Sequence, residues 1–177
     1  MTRHEVILAG TGGKGVLLAG QLLAQAGLER YPYVVWTPTY FTLMRAGPSE
    51  CTVILSQEPI ASPLLSRAQV VVVFEPSQFQ DFLPRVVPGG TLIAESAGLP
   101  PVARNDLRLL PVAATEIAAG LGNIQGANFV LLGAYLGVSK ALPLALIRSQ
   151  IESRFQNSPR LQEVNIQALE RGLALAG

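Results

Sequence analysis

An apolar strand, a glycine-dense turn and a helix follow one another directly at residues 6–27, reading VILAGTGGKGVLLAGQLLAQAG. Strands and helices then alternate as far as Leu110, and helices alone come after. Together these predict one α/β domain over residues 1–177: a Rossmann-like, mostly parallel sheet with helices on both faces and a helical C-terminal layer.

Each element has its own signal. Val6–Ala9 is an apolar strand, and Val16–Ala26, rich in Leu and Ala, is a helix. Tyr33–Trp36 reads as a short second strand ending in a loop, Thr37-Pro38-Thr39-Tyr40-Phe41. Glu50–Ser56 alternates, placing Cys51, Val53 and Leu55 on one face. Gln69–Phe74, QVVVVF, is the unbroken β-branched run of a parallel strand covered on both sides. Ser77–Leu83 predicts a short helix with Ser77 as its N-cap. Thr91–Ala94 follows the turn Pro88-Gly89-Gly90 as a buried strand, and Leu107–Leu110 is a further one. Thr115–Leu121, Ala127–Leu136, Leu142–Phe155 and Leu161–Leu175 read as helices separated by Gly, Asn and Pro.

Composition narrows the function classes. Charged residues make up only 14% and hydrophobic ones 49%, so the surface is poor in charge for a soluble monomer, and burial shared with other subunits is expected. A net charge of +1 gives no electrostatic footprint for nucleic acid or an anionic membrane. No apolar run reaches the ~18–20 residues that span a bilayer. The opening MTRHEVILAG has no signal-peptide pattern, so a cytoplasmic setting is expected. Cys51 is the only cysteine, which excludes an internal disulfide, a four-cysteine iron–sulfur cluster and a cysteine zinc site. It is expected to be a small core residue rather than a nucleophile. His4 is the only histidine, so neither a Ser-His-Asp nor a Cys-His constellation is supported.

Gly10, Gly12 and Gly15 meet the G-x-G-x-x-G spacing, where glycine allows positive φ and close approach of a ligand. The turn is not a P-loop, because Val16 and Leu17 follow Gly15 where the Walker lysine and hydroxyl would stand. A dinucleotide site would place an acid at the end of the second strand, and Val35-Trp36-Thr37 has none. Thr11, Gly12, Gly13, Lys14 and Gly15 are expected to form a concave, electropositive mouth for an anion, helped by the N-terminus of the helix. The alternatives are a lysine that only snorkels to solvent, a stand-alone nucleotide- or ligand-binding module, and a purely structural subunit whose glycines serve packing.

A second set of motifs points to a family. Thr39-Tyr40-Phe41-Thr42-Leu43-Met44-Arg45-Ala46-Gly47 leads into the strand Glu50–Ser56. Pro111-Val112-Ala113-Ala114-Thr115-Glu116-Ile117-Ala118, then Asn128-Phe129-Val130-Leu131-Leu132-Gly133, then Asn165-Ile166-Gln167-Ala168 follow in order. With GTGGKGV, this series resembles the gamma subunit or domain of the 2-oxoacid:ferredoxin oxidoreductases, which act on pyruvate, 2-oxoglutarate, 2-oxoisovalerate or indolepyruvate. Lys14 replaces the family's usual glutamine, Ala46 replaces a glycine after Arg45, and the usual Gly-Pro-Glu lead is missing.

The resemblance implies an accessory subunit without catalytic residues or metal ligands of its own. Its implied partners are alpha and beta chains that bind thiamine diphosphate with Mg²⁺, and a ferredoxin-like chain with iron–sulfur clusters. Ferredoxin would accept the electrons and coenzyme A the acyl group, and the chain alone would be a homodimer. The ligand-contacting candidates are Gly10, Thr11, Gly12, Gly13, Lys14, Gly15, Arg45, Gly47 and Asn128, with coenzyme A at a subunit interface and a phosphate as the favoured anion.

Overall fold

In the computed structural model, residues 2–40 and 47–176 are described. The strands are β1 (Arg3–Thr11), β2 (Tyr33–Tyr40), β3 (Pro48–Ser56), β4 (Ala68–Val73), β5 (Val86–Glu95) and β6 (Arg108–Val112). They form one sheet in the order β2-β3-β1-β4-β5-β6. β1, β4, β5 and β6 pair in parallel, with Val6 opposite Val70 and Val71 opposite Leu92. β3 runs antiparallel to both β1 and β2, so it alone opposes the other five strands. The short stretch between Tyr40 and Pro48 accounts for this, since a parallel return needs a crossover of about a dozen residues or more. The mostly parallel α/β sheet follows the expectation.

Two local expectations are corrected. Thr37–Tyr40 is not loop, because it pairs with Thr52, Cys51, Glu50 and Ser49 and prolongs β2. Pro38 suggested a break, but β2 is the edge of the sheet, where a missing N–H is tolerated. Phe41, the last residue of that expected loop, lies outside the described residues. Ser77 is not an N-cap: it sits inside a 3₁₀ turn, Pro76–Gln78, and α2 (Phe79–Phe82) starts after it without a side-chain cap. Pro76 at the head of that turn sets its start, as proline does where no N–H is needed.

α1 (Val16–Gly27) follows β1, and α3 (Ala114–Gly120), α4 (Ala127–Ser139), α5 (Leu144–Arg154) and α6 (Pro159–Ala174) make the C-terminal layer. The pleat of β1 sends Val6 and Leu8 into the core shared with α1 and α3 to α6, and Ile7 and Ala9 into a smaller core on the other face. That second face is covered by α2 and by loop residues such as Leu65, Leu99 and Val102. Helices therefore flank both faces, but very unequally. Arg85 and Arg104 staple the thin side: Arg85 donates to the carbonyls of Leu65 and Ser66 at 2.7 and 3.0 Å and pairs with Glu50 at 2.7 Å. Arg104 donates to Leu83 O and Val86 O at 2.8 and 3.0 Å.

On the thick side α4 and α6 cross at Gly133 and Gly172, where a Cβ would overlap the carbonyls of Leu169 and Val130. This close crossing holds α4 deep in the layer, with Asn128 to Gly137 all buried. The C-terminal ends of β1, β4 and β5, at Thr11, Val73 and Glu95, lie along one edge of the sheet. The N-terminal end of α4 comes to the same edge, where open α/β sheets place their ligands.

Candidate functional site at the glycine turn

The turn after β1 is held from two directions. Lys14 N–H donates to Thr11 O at 3.2 Å, closing the turn, and Gly12 N–H donates to Gly47 O at 2.9 Å. Gly47, a sequence candidate, is thus buried beside the turn and contributes its carbonyl to holding it. Gly13 and Gly15 have φ of +88° and +75°, a region that side chains rarely enter. Gly13 faces open space, whereas a Cβ on Gly15 would stand 2.5 Å from Asn128 Nδ2. Gly10 serves strand–helix packing instead, because a Cβ there would meet Val16 Cγ2 at 2.9 Å and Phe74 Cβ at 3.0 Å. Arg45 and Ala46 lie outside the described residues.

A cleft of about 260 Å³ opens between this turn and the start of α4. Gly12, Gly13, Lys14, Phe74, Thr115 and Asn128 line it, and Ile124, Gln125, Ala127 and Leu131 complete its wall. Five of the nine sequence candidates therefore touch or flank one space: Gly12, Gly13, Lys14, Gly15 and Asn128. The N-terminus of α1 brings partial positive charge beside it, whereas Ala127 N–H at the start of α4 is already donated to Ile124 O.

The expected positive mouth is modified by a residue that motif reading missed. Glu75, just past the end of β4, pairs with Lys14 at 3.1 Å. Lys14 is about half exposed, so the pair is a screened surface contact worth at most about 1 kcal/mol, yet its carboxylate offsets the lysine's charge. Lys14 is therefore neither a free anion trap nor a bare solvent lysine.

Two buried polar side chains stand close to the cleft. Glu95, at the end of β5, accepts from Thr115 N–H at 2.8 Å, Thr115 Oγ1 at 2.6 Å and Ala97 N–H at 3.2 Å. It is 5% exposed and satisfies the first turn of α3. A lone acid at the end of an apolar run, followed by Thr115 at a helix start, was the available sign. Asn128 is 2% exposed. Its Nδ2 donates to Gly15 O at a long 3.4 Å, while its Oδ1 is buried without a hydrogen-bond partner. Behind the wall, Asn165, also buried, accepts from Asn123 Nδ2 at 3.0 Å and ties α6 to the segment carrying Ile124 and Gln125.

The remaining chemistry-bearing residues lie in the scaffold. Cys51 is fully buried at Gly20 of α1 and donates toward Val16 O at 3.6 Å; burial pushes its thiol up to about 12. It is an inert core residue, as read from its strand. His4 packs edge-on to Tyr31 at 6.0 Å, and partial burial lowers its pKa by disfavouring the charged form. Among the described residues no group of three or more His, Cys, Asp or Glu gathers in an arrangement that could hold a metal, and no helix is long and apolar enough to cross a membrane.

The family model for pyruvate ferredoxin/flavodoxin oxidoreductase matches residues 5–175. The chain belongs to that family. Within it, ketoisovalerate oxidoreductase subunit VorA of Methanothermobacter marburgensis is 32% identical over 169 residues, 95% of this chain but 35% of VorA. The chain thus spans about a third of that relative's length. The 2-oxoglutarate synthase subunit KorC of the same organism is 30% identical over 183 residues, covering 98% of this chain and 96% of KorC. Among solved structures, the 2-oxoglutarate:ferredoxin oxidoreductase of Magnetococcus marinus, with 2-oxoglutarate, coenzyme A and succinyl-CoA bound, superposes with a TM-score of 0.90 at 19% identity. That superposition covers 99% of this chain and 31% of the Magnetococcus chain, and at this identity it speaks for the fold. The match to KorC takes in nearly the whole of both sequences.

Proposed function

We propose that this chain is the gamma-type subunit of a cytoplasmic 2-oxoacid:ferredoxin oxidoreductase. Its partners in this reading are alpha and beta chains that bind thiamine diphosphate and Mg²⁺, a ferredoxin-like chain with iron–sulfur clusters, and ferredoxin as acceptor. The observation that carries the proposal is the match to a separate KorC chain over nearly the whole of both sequences. A chain with a single cysteine and a single histidine depends on others for redox centres. Thiamine diphosphate, held by the partner chains, supplies the decarboxylation of the 2-oxoacid.

This chain's own contribution is to seat coenzyme A at a subunit interface. Gly12, Gly13 and Gly15 let a ligand come close to the backbone of the turn, and the N-terminus of α1 favours negative charge at its mouth. Gly10, Thr11 and Gly47 hold the turn in shape, Lys14 meets a phosphate at the rim in exchange with Glu75, and Arg45 precedes Gly47 on the approach to β3. The low charge of the sequence agrees with burial of its surface in such an assembly.

The test is purification from native cells through a tag on this chain. The expected result is co-purification of thiamine- and cluster-bearing chains, visible absorbance from iron–sulfur clusters, and reduction of ferredoxin that requires both a 2-oxoacid and coenzyme A. Recovery of the chain alone, with that activity intact in extracts lacking it, would overturn the proposal.

A further inference from the structure

We infer that Asn128 reads the ligand in this cleft, its Oδ1 accepting a hydrogen bond from the N–H of an uncharged, amide-bearing arm. This rests on the reading that the cleft seats a ligand. It concerns which part of that ligand enters, and which residue selects it.

The protein itself gets little from the Asn128 amide. Its one bond, from Nδ2 to Gly15 O, is 3.4 Å long, and Gly15 O already accepts the N–H of Ala19 at 3.0 Å. Turning the amide over would set Oδ1 against the Gly15 carbonyl, acceptor against acceptor, so the unpartnered atom is the oxygen. A buried acceptor left unpaired is costly, and native proteins seldom keep one without a use. The partner it lacks is a donor, and because the oxygen is closed to solvent as it stands, the Asn128 side chain turns toward the cleft for a ligand to supply it.

That requirement excludes an ionised phosphate from the floor of the cleft, because such a group only accepts. Phe74, Ala127 and Leu131 in the wall penalise a charged donor such as an ammonium. A volume of about 260 Å³ lies below the roughly 300–1,000 Å³ of sites that enclose a drug-sized ligand. The cleft therefore takes one arm of a larger molecule, and any phosphates stay at the rim beside Lys14. In coenzyme A the arm with this chemistry is pantetheine, and the other half is adenosine 3′,5′-bisphosphate.

The assembled complex, purified through this chain, is titrated calorimetrically with coenzyme A, pantetheine and adenosine 3′,5′-bisphosphate. Asn128→Leu keeps approximate shape and removes both polar atoms. It is expected to weaken pantetheine and coenzyme A about tenfold, to leave the bisphosphate unchanged, and to leave the melting temperature of the complex as it was. Should the leucine variant fail to assemble, Asn128→Thr, which restores an acceptor, is expected to bind pantetheine more tightly than Asn128→Ala. Unchanged pantetheine affinity in Asn128→Leu, or equal losses for both halves, would overturn the inference. Where Lys14→Gln weakens coenzyme A and Asn128→Leu does not, this inference falls while the seating of coenzyme A stands. Where neither variant changes coenzyme A affinity, both fall.

Discussion

Glu95, through its partner Thr115, and Asn128 both border one cleft and are almost wholly buried, yet their surroundings treat them in opposite ways. Glu95 accepts three hydrogen bonds from Thr115 and Ala97, enough to hold the start of α3 on the end of β5. Asn128 makes one long bond to an oxygen that is already occupied and leaves its own oxygen unpaired. Burial by itself does not separate a structural polar group from a binding one; the count of satisfied partners does. By that measure the β5–α3 corner is fully satisfied, and the corner between the glycine turn and α4 leaves one polar atom unpaired.

The largest effect is expected from Glu95→Ala, which strips a charged acceptor from the half-buried Thr115 N–H and hydroxyl and from Ala97 N–H. Unfolding by denaturant should show a loss on the order of 3 kcal/mol. A loss within experimental error would remove the distinction between the two corners. Gly15→Ala comes next, because φ of +75° is strained for alanine and its Cβ would press on the Asn128 amide. A cost of about 2 kcal/mol is expected, together with weaker coenzyme A binding as the amide is displaced. Retained affinity in a destabilised Gly15→Ala would break the link between the turn and Asn128.

Thr115→Val sharpens the Glu95 side of the contrast. The carboxylate keeps the backbone N–H of residue 115 and loses only the hydroxyl at 2.6 Å, so the melting temperature should fall by an amount equivalent to about 1 kcal/mol. A fall as large as that of Glu95→Ala would mean that the hydroxyl, not the capped helix start, carries the corner. The smallest effect belongs to Lys14→Gln. Its half-exposed pair with Glu75 contributes at most about 1 kcal/mol to stability, and coenzyme A affinity should drop about threefold at low salt and hardly at all at high salt. A salt-independent loss would place Lys14 deeper in binding than its exposure indicates.

Much of this molecule was legible along the chain. The QVVVVF run, the strand–glycine–helix opening and the four C-terminal helices could be read because each is a local pattern of apolar spacing and turn residues. Pro38 misled, since a proline breaks an interior strand but not an edge one, and edge position is a property of the assembled sheet. Ser77 misled for a similar reason: Pro76 set the start of the turn before a cap could form. At the site, the glycine turn was legible as one local motif, but that Asn128 lies against it was not, and Glu75, Glu95 and Thr115 carried no motif.

The amino-acid sequence by itself determined the fold class, the family and the inertness of Cys51, because these depend on spacing, residue type and counts, whereas of Gly10, Gly12 and Gly15 only Gly15 takes positive φ. Tertiary structure decided the electrostatics and the polar accounts of the cleft. Whether Lys14 is free or paired depends on the end of β4 lying beside the turn, and whether Asn128 is satisfied depends on α4 meeting Gly15, 113 residues away in the chain. Charge and hydrogen bonding act over a few ångströms in space, so residues distant along the chain must be brought together before either can be read.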